Sequence, residues 1–219
     1  MKILAFDTAA RACSAALLEE DHVLATRLLE MERGQAEALL GLIDAVLAEA
    51  GATYAELDRL ATTLGPGSFT GLRVGLAAVR ALALAGGLPV VGVTTFEAVA
   101  HGVPPGERGE SRLLVALDTK RGDLYVQLFD ATLAPLTEGE VRTPSACAGF
   151  AEEGPLLIAG DGAPLLNETF GAKAGPVRWS KAPGYPQAEI IARLAATRKP
   201  TASLRPIYLR PPEARLPNG

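Results

Sequence analysis

The chain reads as an α/β fold of two lobes, each opening with a β-hairpin of a mixed sheet packed with helices. Two observations predict it. The first is a duplication: Ile3 to Glu19 (ILAFDTAARACSAALLE) aligns without a gap with Leu114 to Asp130 (LVALDTKRGDLYVQLFD). Ala5, Asp7, Thr8 and Leu17 recur as Ala116, Asp118, Thr119 and Leu128, and Glu19 becomes Asp130. Each copy is an apolar strand, an Asp-Thr, a short polar turn and a second apolar strand. Two such hairpins in matching register, one opening each half, predict a duplicated domain. The plainer alternative is two unrelated hairpins that share a turn residue. The second observation is size and punctuation. A chain of 219 residues suits one large domain or two small ones. The stretch His101 to Ser111 (HGVPPGERGES) mixes Pro, Gly and charge without periodicity, as a linker does. Lobes are therefore expected over residues 1–102 and 103–219.

The elements follow in order. After the first hairpin, His22 to Glu30 serves as a third strand. Gln35 to Ala50 is helical and ends at Gly51, a C-cap residue type. Leu39, Ile43, Val46, Leu47 and Ala50 form its main stripe, and Ala38, Leu42 and Ala45 widen the apolar sector. That sector spans roughly 200°, well beyond the ~100° needed to cover one sheet. Leu57 to Leu64 is a short strand running into GPGSFTGLRVG (Gly65 to Gly75), then a helix to about Ala85. Pro89 to Val93 is a buried strand, and Thr94 or Thr95 caps a helix through Ala100. The second hairpin follows the linker. Leu156 to Gly162 is a strand and a glycine turn, Gln187 to Thr197 a helix, and the proline-rich tail from Lys199 excludes regular helix.

Composition narrows the function. Hydrophobic residues make up 48% and aromatics 5%, so the core is built from Ala, Leu and Val. A net charge of −4, with no dense Lys/Arg cluster, argues against a general nucleic-acid binder. Cys13 and Cys147 form no CxxC pair, and a buried reduced thiol is the expected state of Cys13. His22 and His101 have no metal-ligand spacing, so no metal site is expected. Only four apolar residues precede Asp7, too few for a signal-peptide core, and Arg73, Arg80 and Pro89 interrupt the longest apolar stretch. A cytoplasmic protein without a membrane span is the expectation.

Two places could carry function. In GPGSFTGLRVG, the glycines expose backbone N–H groups at a helix start, an arrangement that attracts phosphate, but the Lys of a P-loop is missing. A glycine-rich turn serving close packing is the weightier reading. Around the helix that follows, Arg73 and Arg80 share one narrow side, and Leu72, Gly75, Leu76, Ala78, Val79, Leu82 and Ala83 cover nearly the rest. A helix apolar almost all round is buried almost all round, by internal stacking or by a partner. The second place is acidic. Asp7, Asp118 and Asp161 end apolar strands, where a cleft would hold Mg²⁺ or phosphate, although each is equally explained as a turn residue. The turn after Asp7 (AARAC) lacks the glycines that would let a phosphate approach.

The strings ILAFDTAARACSAAL, AEALLGLIDAVLAEAG, GPGSFTGLRVGLAAVRALA, VVGVTTFEAVA, ALDTKRGDLYVQLF, IAGDG and PIYLRPPEA together make the chain resemble the TsaB (YeaZ) family. The resemblance implies an actin-like (ASKHA) fold. It implies a non-catalytic subunit in tRNA threonylcarbamoyladenosine (t6A) synthesis, with no cofactor and no catalytic residue of its own. The implied partners are the catalytic paralogue TsaD and the ATPase TsaE, with tRNA engaged only within the complex. Isolated subunits of the family form homodimers through the same two N-lobe helices that pair with TsaD. Carried over, those helices are Ala36 to Ala50 and Gly71 to Ala85. The expected partner-binding residues are Leu39, Leu42, Ile43 and Val46 on the first, and Gly71, Leu72, Arg73, Gly75, Leu76 and Val79 on the second. Gly71, Gly75 and Ala78 share a flank on which a partner helix is expected to settle. Asp7, Asp118, Gly160, Asp161 and Gly162 are the expected remnants of a nucleotide site. Many relatives carry His where this chain has Gln35, whose role the resemblance leaves open. The rival reading is an independent actin-like ATPase or small-molecule kinase using those remnants.

Overall fold

The structure, a computed structural model, describes residues 1–171, 177–201 and 203–210. The rest of the proline-rich tail, including the PPEA of the PIYLRPPEA string, lies outside the described residues. Strands β1 (Lys2–Ala10), β2 (Ala12–Glu19) and β3 (His22–Glu30) form an antiparallel meander. Strands β4 (Arg59–Gly65) and β5 (Val90–Thr94) add in parallel beyond β1, giving the order β3-β2-β1-β4-β5. The second sheet repeats this plan. Strands β6 (Arg112–Asp118), β7 (Leu124–Phe129) and β8 (Glu140–Arg142) form the meander. Strands β9 (Leu156–Ala159) and β10 (Val177–Trp179) are its parallel additions. The two hairpins that align in sequence therefore open separate sheets, each at the same place, as the duplication predicts.

Helices α1 (Gln35–Glu49) and α2 (Phe69–Gly86) lie on one face of the first sheet. Ser68 caps α2 by accepting a hydrogen bond from Gly71 N–H at 3.3 Å. By length and composition alone α2 could cross a membrane, yet Leu72, Leu76 and Val79 are buried inside the protein. Helix α3 (Thr95–Gly102) starts in a capping box, with Thr94 and Glu97 bonding each other's backbone N–H. A single turn, α4 (Pro105–Arg108), occupies the expected linker, and α5 (Ala188–Ala196) is the last helix among the described residues.

The lobes exchange helices. Helix α3 follows the first sheet, yet Phe96, Val99 and Ala100 pack with Leu113, Val115, Phe129 and Leu157 of the second. Helix α5 follows the second sheet, yet Ala188, Ile191, Ala192 and Ala195 pack with Ile3, Ala16, Ala61 and Val91 of the first. The chain after α5 stays with the first sheet as far as Ile207: Thr201 N–H donates to Val90 O and Ile207 N–H to Leu64 O, both at 2.7 Å. Residues 188–201 and 203–207, expected to belong with the second lobe, thus line the first, and Leu209 returns to the core of the second. The reason is stoichiometric: a five-stranded sheet has two apolar faces, and α1 with α2 covers only one.

Candidate functional site

The two acidic corners face a cleft of about 790 Å³ between the lobes. At the first corner Asp7 is fully buried and does not line that cleft. The Thr63 hydroxyl and, at 3.1 Å, the Ala9 N–H donate to its carboxylate. Burial outweighs both bonds and pushes the carboxyl up to about 7. The start of α2 fills the space a phosphate would need. Ser68 N–H donates to Ala9 O at 2.8 Å, and the Thr8 hydroxyl donates to Gly71 O at 2.7 Å. A Cβ on Gly67 would sit 2.5 Å from Ala9 O, and one on Gly71 2.0 Å from Thr8 O. The glycine string therefore lets α2 press against β1, and its N–H groups serve the protein's own chain.

The second corner is closed by different chemistry. Asp118 ends β6, and Gly160-Asp161-Gly162 turns after β9. Asp118 N–H donates to the Asp161 carboxylate at 3.0 Å. Lys120, in left-handed backbone at φ 62°, places Nζ 2.7 Å from Asp118 Oδ2 and 3.6 Å from Asp161 Oδ2. Burial still holds the Asp161 carboxyl above the ordinary carboxylate range. The glycines of the turn are occupied too: a Cβ on Gly160 would meet Ala116 O at 2.0 Å, and one on Gly162 would meet Leu124 Cδ2 at 2.5 Å. A magnesium–nucleotide, which an actin-like fold would place here, does not fit these residues. An ammonium already sits between the carboxylates, and own-chain atoms fill both glycine cradles. Among the described residues, no three His, Cys, Asp or Glu side chains gather as a metal site.

Sequence reasoning missed the other residues of the cleft. Arg11 pairs with Glu32, and Arg210 of the tail pairs with Asp123 of the second hairpin. Tyr208 meets Phe69 with ring centroids 5.4 Å apart, and Arg73 lies 3.8 Å over the Phe69 ring. Gln35 has a local task, donating from Nε2 to Ala10 O at 3.3 Å and Met31 O at 3.4 Å. It ties the start of α1 to the first hairpin turn. The DTKRGD turn carried the one readable signal, a lysine two residues after the aspartate.

Most of the expected partner-binding residues are inside the chain. Leu39, Leu42, Ile43 and Val46 are buried in the protein's own core, as are Gly71, Leu72, Gly75, Leu76 and Val79. A Cβ on Gly75 would lie 2.8 Å from Thr8 Oγ1 and 3.4 Å from Thr62 Oγ1, so the Gly71/Gly75 flank faces β1 and β4. Of the expected set only Arg73 is exposed. What the sheet leaves uncovered is the opposite side: Leu40 on α1, and Ala77, Ala81, Leu84 and Ala85 on α2. Leu84 is 87% exposed and Leu40 54%.

Known proteins place this geometry. Residues 29–161, more than half the chain, match the family described as TsaD, tRNA N6-adenosine threonylcarbamoyltransferase. The Escherichia coli (strain K12) protein named tRNA threonylcarbamoyladenosine biosynthesis protein TsaB is 38% identical over 125 residues. That alignment spans 57% of this chain and only about half, 53%, of the relative. The structure of YeaZ from Pseudomonas aeruginosa superposes with a TM-score of 0.81 at 27% identity, covering 95% of this chain and 99% of that one. A ROK hexokinase from Thermus thermophilus shares the fold alone, with a TM-score of 0.51 at 15% identity over 89% of this chain and 99% of that one. The fold is thus the two-lobed actin-like one of sugar kinases and ATPases.

Proposed function

The chain belongs to the TsaB/YeaZ family, and on that premise we propose that it is a non-catalytic scaffold and activator in t6A synthesis, holding a TsaD-type catalytic subunit in its active arrangement. The observation that carries this is the apolar side of α1 and α2 left over after their own sheet is covered, with Leu84 almost fully in water. An exposed leucine among alanines, with the exposed Arg80 one turn before it and Arg73 farther along the same side, is what a helix-to-helix interface uses: small residues for close approach, a large apolar anchor and a charged rim. In the absence of that subunit, the same side pairs two copies of the chain. A TsaE-type ATPase joins the pair, tRNA is met only within the assembly, and the assembly works in the cytoplasm. The self-filled corners of the cleft support the non-catalytic half of the reading.

The test is co-purification with a TsaD-type subunit. Leu84→Lys is expected to weaken assembly at least tenfold, about 1.4 kcal/mol, with a nearly unchanged melting temperature, because the side chain is 87% exposed and a lysine suits the last turn of a helix. Retained assembly by that variant refutes the docking side. Sustained Mg²⁺-dependent ATP hydrolysis by the purified chain alone refutes the non-catalytic reading.

A further inference from the structure

We infer that Lys120 is a built-in replacement for the cation of this fold's cleft, its tethered ammonium standing between Asp118 and Asp161 where a divalent metal bound to phosphate would otherwise sit. This deepens the non-catalytic half of the proposed function and leaves the partner half untouched.

Three features converge on Lys120. Its Nζ reaches carboxylates from two different elements, the end of β6 and the turn after β9, at 2.7 and 3.6 Å. Its own N–H also donates to Asp118 Oδ1 at 2.6 Å, so backbone and side chain close on the same aspartate. Its backbone is left-handed, a conformation that glycine adopts freely and a side chain with a Cβ adopts at a cost. A turn needing only that conformation would take glycine. The side chain is therefore there for its charge. Neutralisation remains partial, since one ammonium faces two carboxylates; burial first, and then the neighbouring Asp118 charge, hold the carboxyl of Asp161 above its ordinary range while Lys120 pulls it down.

The geometry explains why the cleft, open to about 790 Å³, is closed to metal-bound phosphate. A divalent cation approaching the carboxylates meets a positive charge it must displace, and the lysine, covalently tethered two residues from Asp118, pairs with it as an intramolecular event.

The experiment substitutes Lys120→Gly, which removes the ammonium and suits the left-handed backbone, and titrates the full chain with Mn²⁺ alone. Binding is read by calorimetry and by the paramagnetic relaxation of water. The variant is expected to bind Mn²⁺ at least tenfold more tightly than the unsubstituted protein, and Lys120→Arg is expected to behave like the unsubstituted protein. Adding Asp161→Asn to Lys120→Gly is expected to abolish the gain. Equal Mn²⁺ affinity with and without the lysine overturns the inference, as does a gain that survives Asp161→Asn. Because the readout is metal binding, failure here leaves assembly with a TsaD-type subunit standing, and failure of that assembly leaves this result unaffected.

Discussion

Replacing Gly71 by Ala adds one methyl group at the tightest contact between α2 and β1. The new Cβ would lie 2.0 Å from Thr8 O, a backbone atom that cannot rotate away, so helix and strand must separate by about 1 Å. That movement strains the Thr8 Oγ1–Gly71 O bond of 2.7 Å, worth about 1 kcal/mol. Overpacking of this kind costs about 1–3 kcal/mol, and the better helix propensity of Ala returns up to ~1 kcal/mol. The net loss is about 1–3 kcal/mol. At roughly 2–4 °C per kcal/mol for a chain of this size, the melting temperature falls by about 2–12 °C. Gly41→Ala is the control of opposite sign. It lies on an exposed part of α1 with nothing within 4 Å of its Cβ, so the same change is expected to raise the melting temperature by about 2–3 °C through propensity alone. Both variants are read by thermal unfolding, with sedimentation velocity to follow self-association. A Gly71→Ala protein that melts normally but associates less would refute the argument, because it would put that flank on a partner.

Two further substitutions probe the sheet. Burial raises the Asp7 carboxyl from 3.8 to about 7, so the folded protein holds a proton that the unfolded chain gives up. Stability therefore falls as pH rises from about 4 to about 7 and levels off above, a span worth on the order of 4 kcal/mol. Asp7→Asn removes that slope and, after losing one acceptor for Ala9 N–H, is expected to be more stable by about 1–3 kcal/mol at pH 8; urea midpoints that retain the slope would reject this. Ile191 is fully buried between α5 and the first sheet. Ile191→Ala is expected to cost about 2–5 kcal/mol in a urea titration, and a cost below about 1 kcal/mol would show that α5 does not seal that face.

The parts of this fold legible in the sequence are those with a local cause. The hairpin alignment located both sheets, the Thr94-Thr95 pair marked a helix start, and glycine closed α1 at the expected place. Periodicity counts apolar positions, but it does not say which surface covers them. The wide apolar sector of α1 and the nearly all-round one of α2 were met largely by their own sheet, so all of the residues expected to touch a partner except Arg73 are buried within this chain. Gly71 and Gly75 did share a flank, as their spacing requires, but spacing cannot tell a strand backbone from a second helix. Strands β8 and β10 have three residues each, too few for any period to register. The amphipathic run of α5 announced a helix and gave no hint of which sheet it would cover. At the second corner, the meeting of Lys120 with Asp161 depends on contact across 41 residues, which no local pattern encodes.

The exchange of α3 and α5 has a consequence for the order in which the chain can become a protein. Strand β5 completes the first sheet at Thr94, but the helix that seals its second face ends at Ala196, roughly a hundred residues later. At about 5–20 residues per second, synthesis leaves Ile3, Ala16, Ala61 and Val91 without their cover for about 5–20 s. During that interval the emerging half presents a bare apolar sheet, the kind of surface that chaperones hold and that aggregates when they do not. A ribosome stalled anywhere between residues 102 and 187 therefore releases no small stable lobe, because α5 is the helix the first sheet waits for.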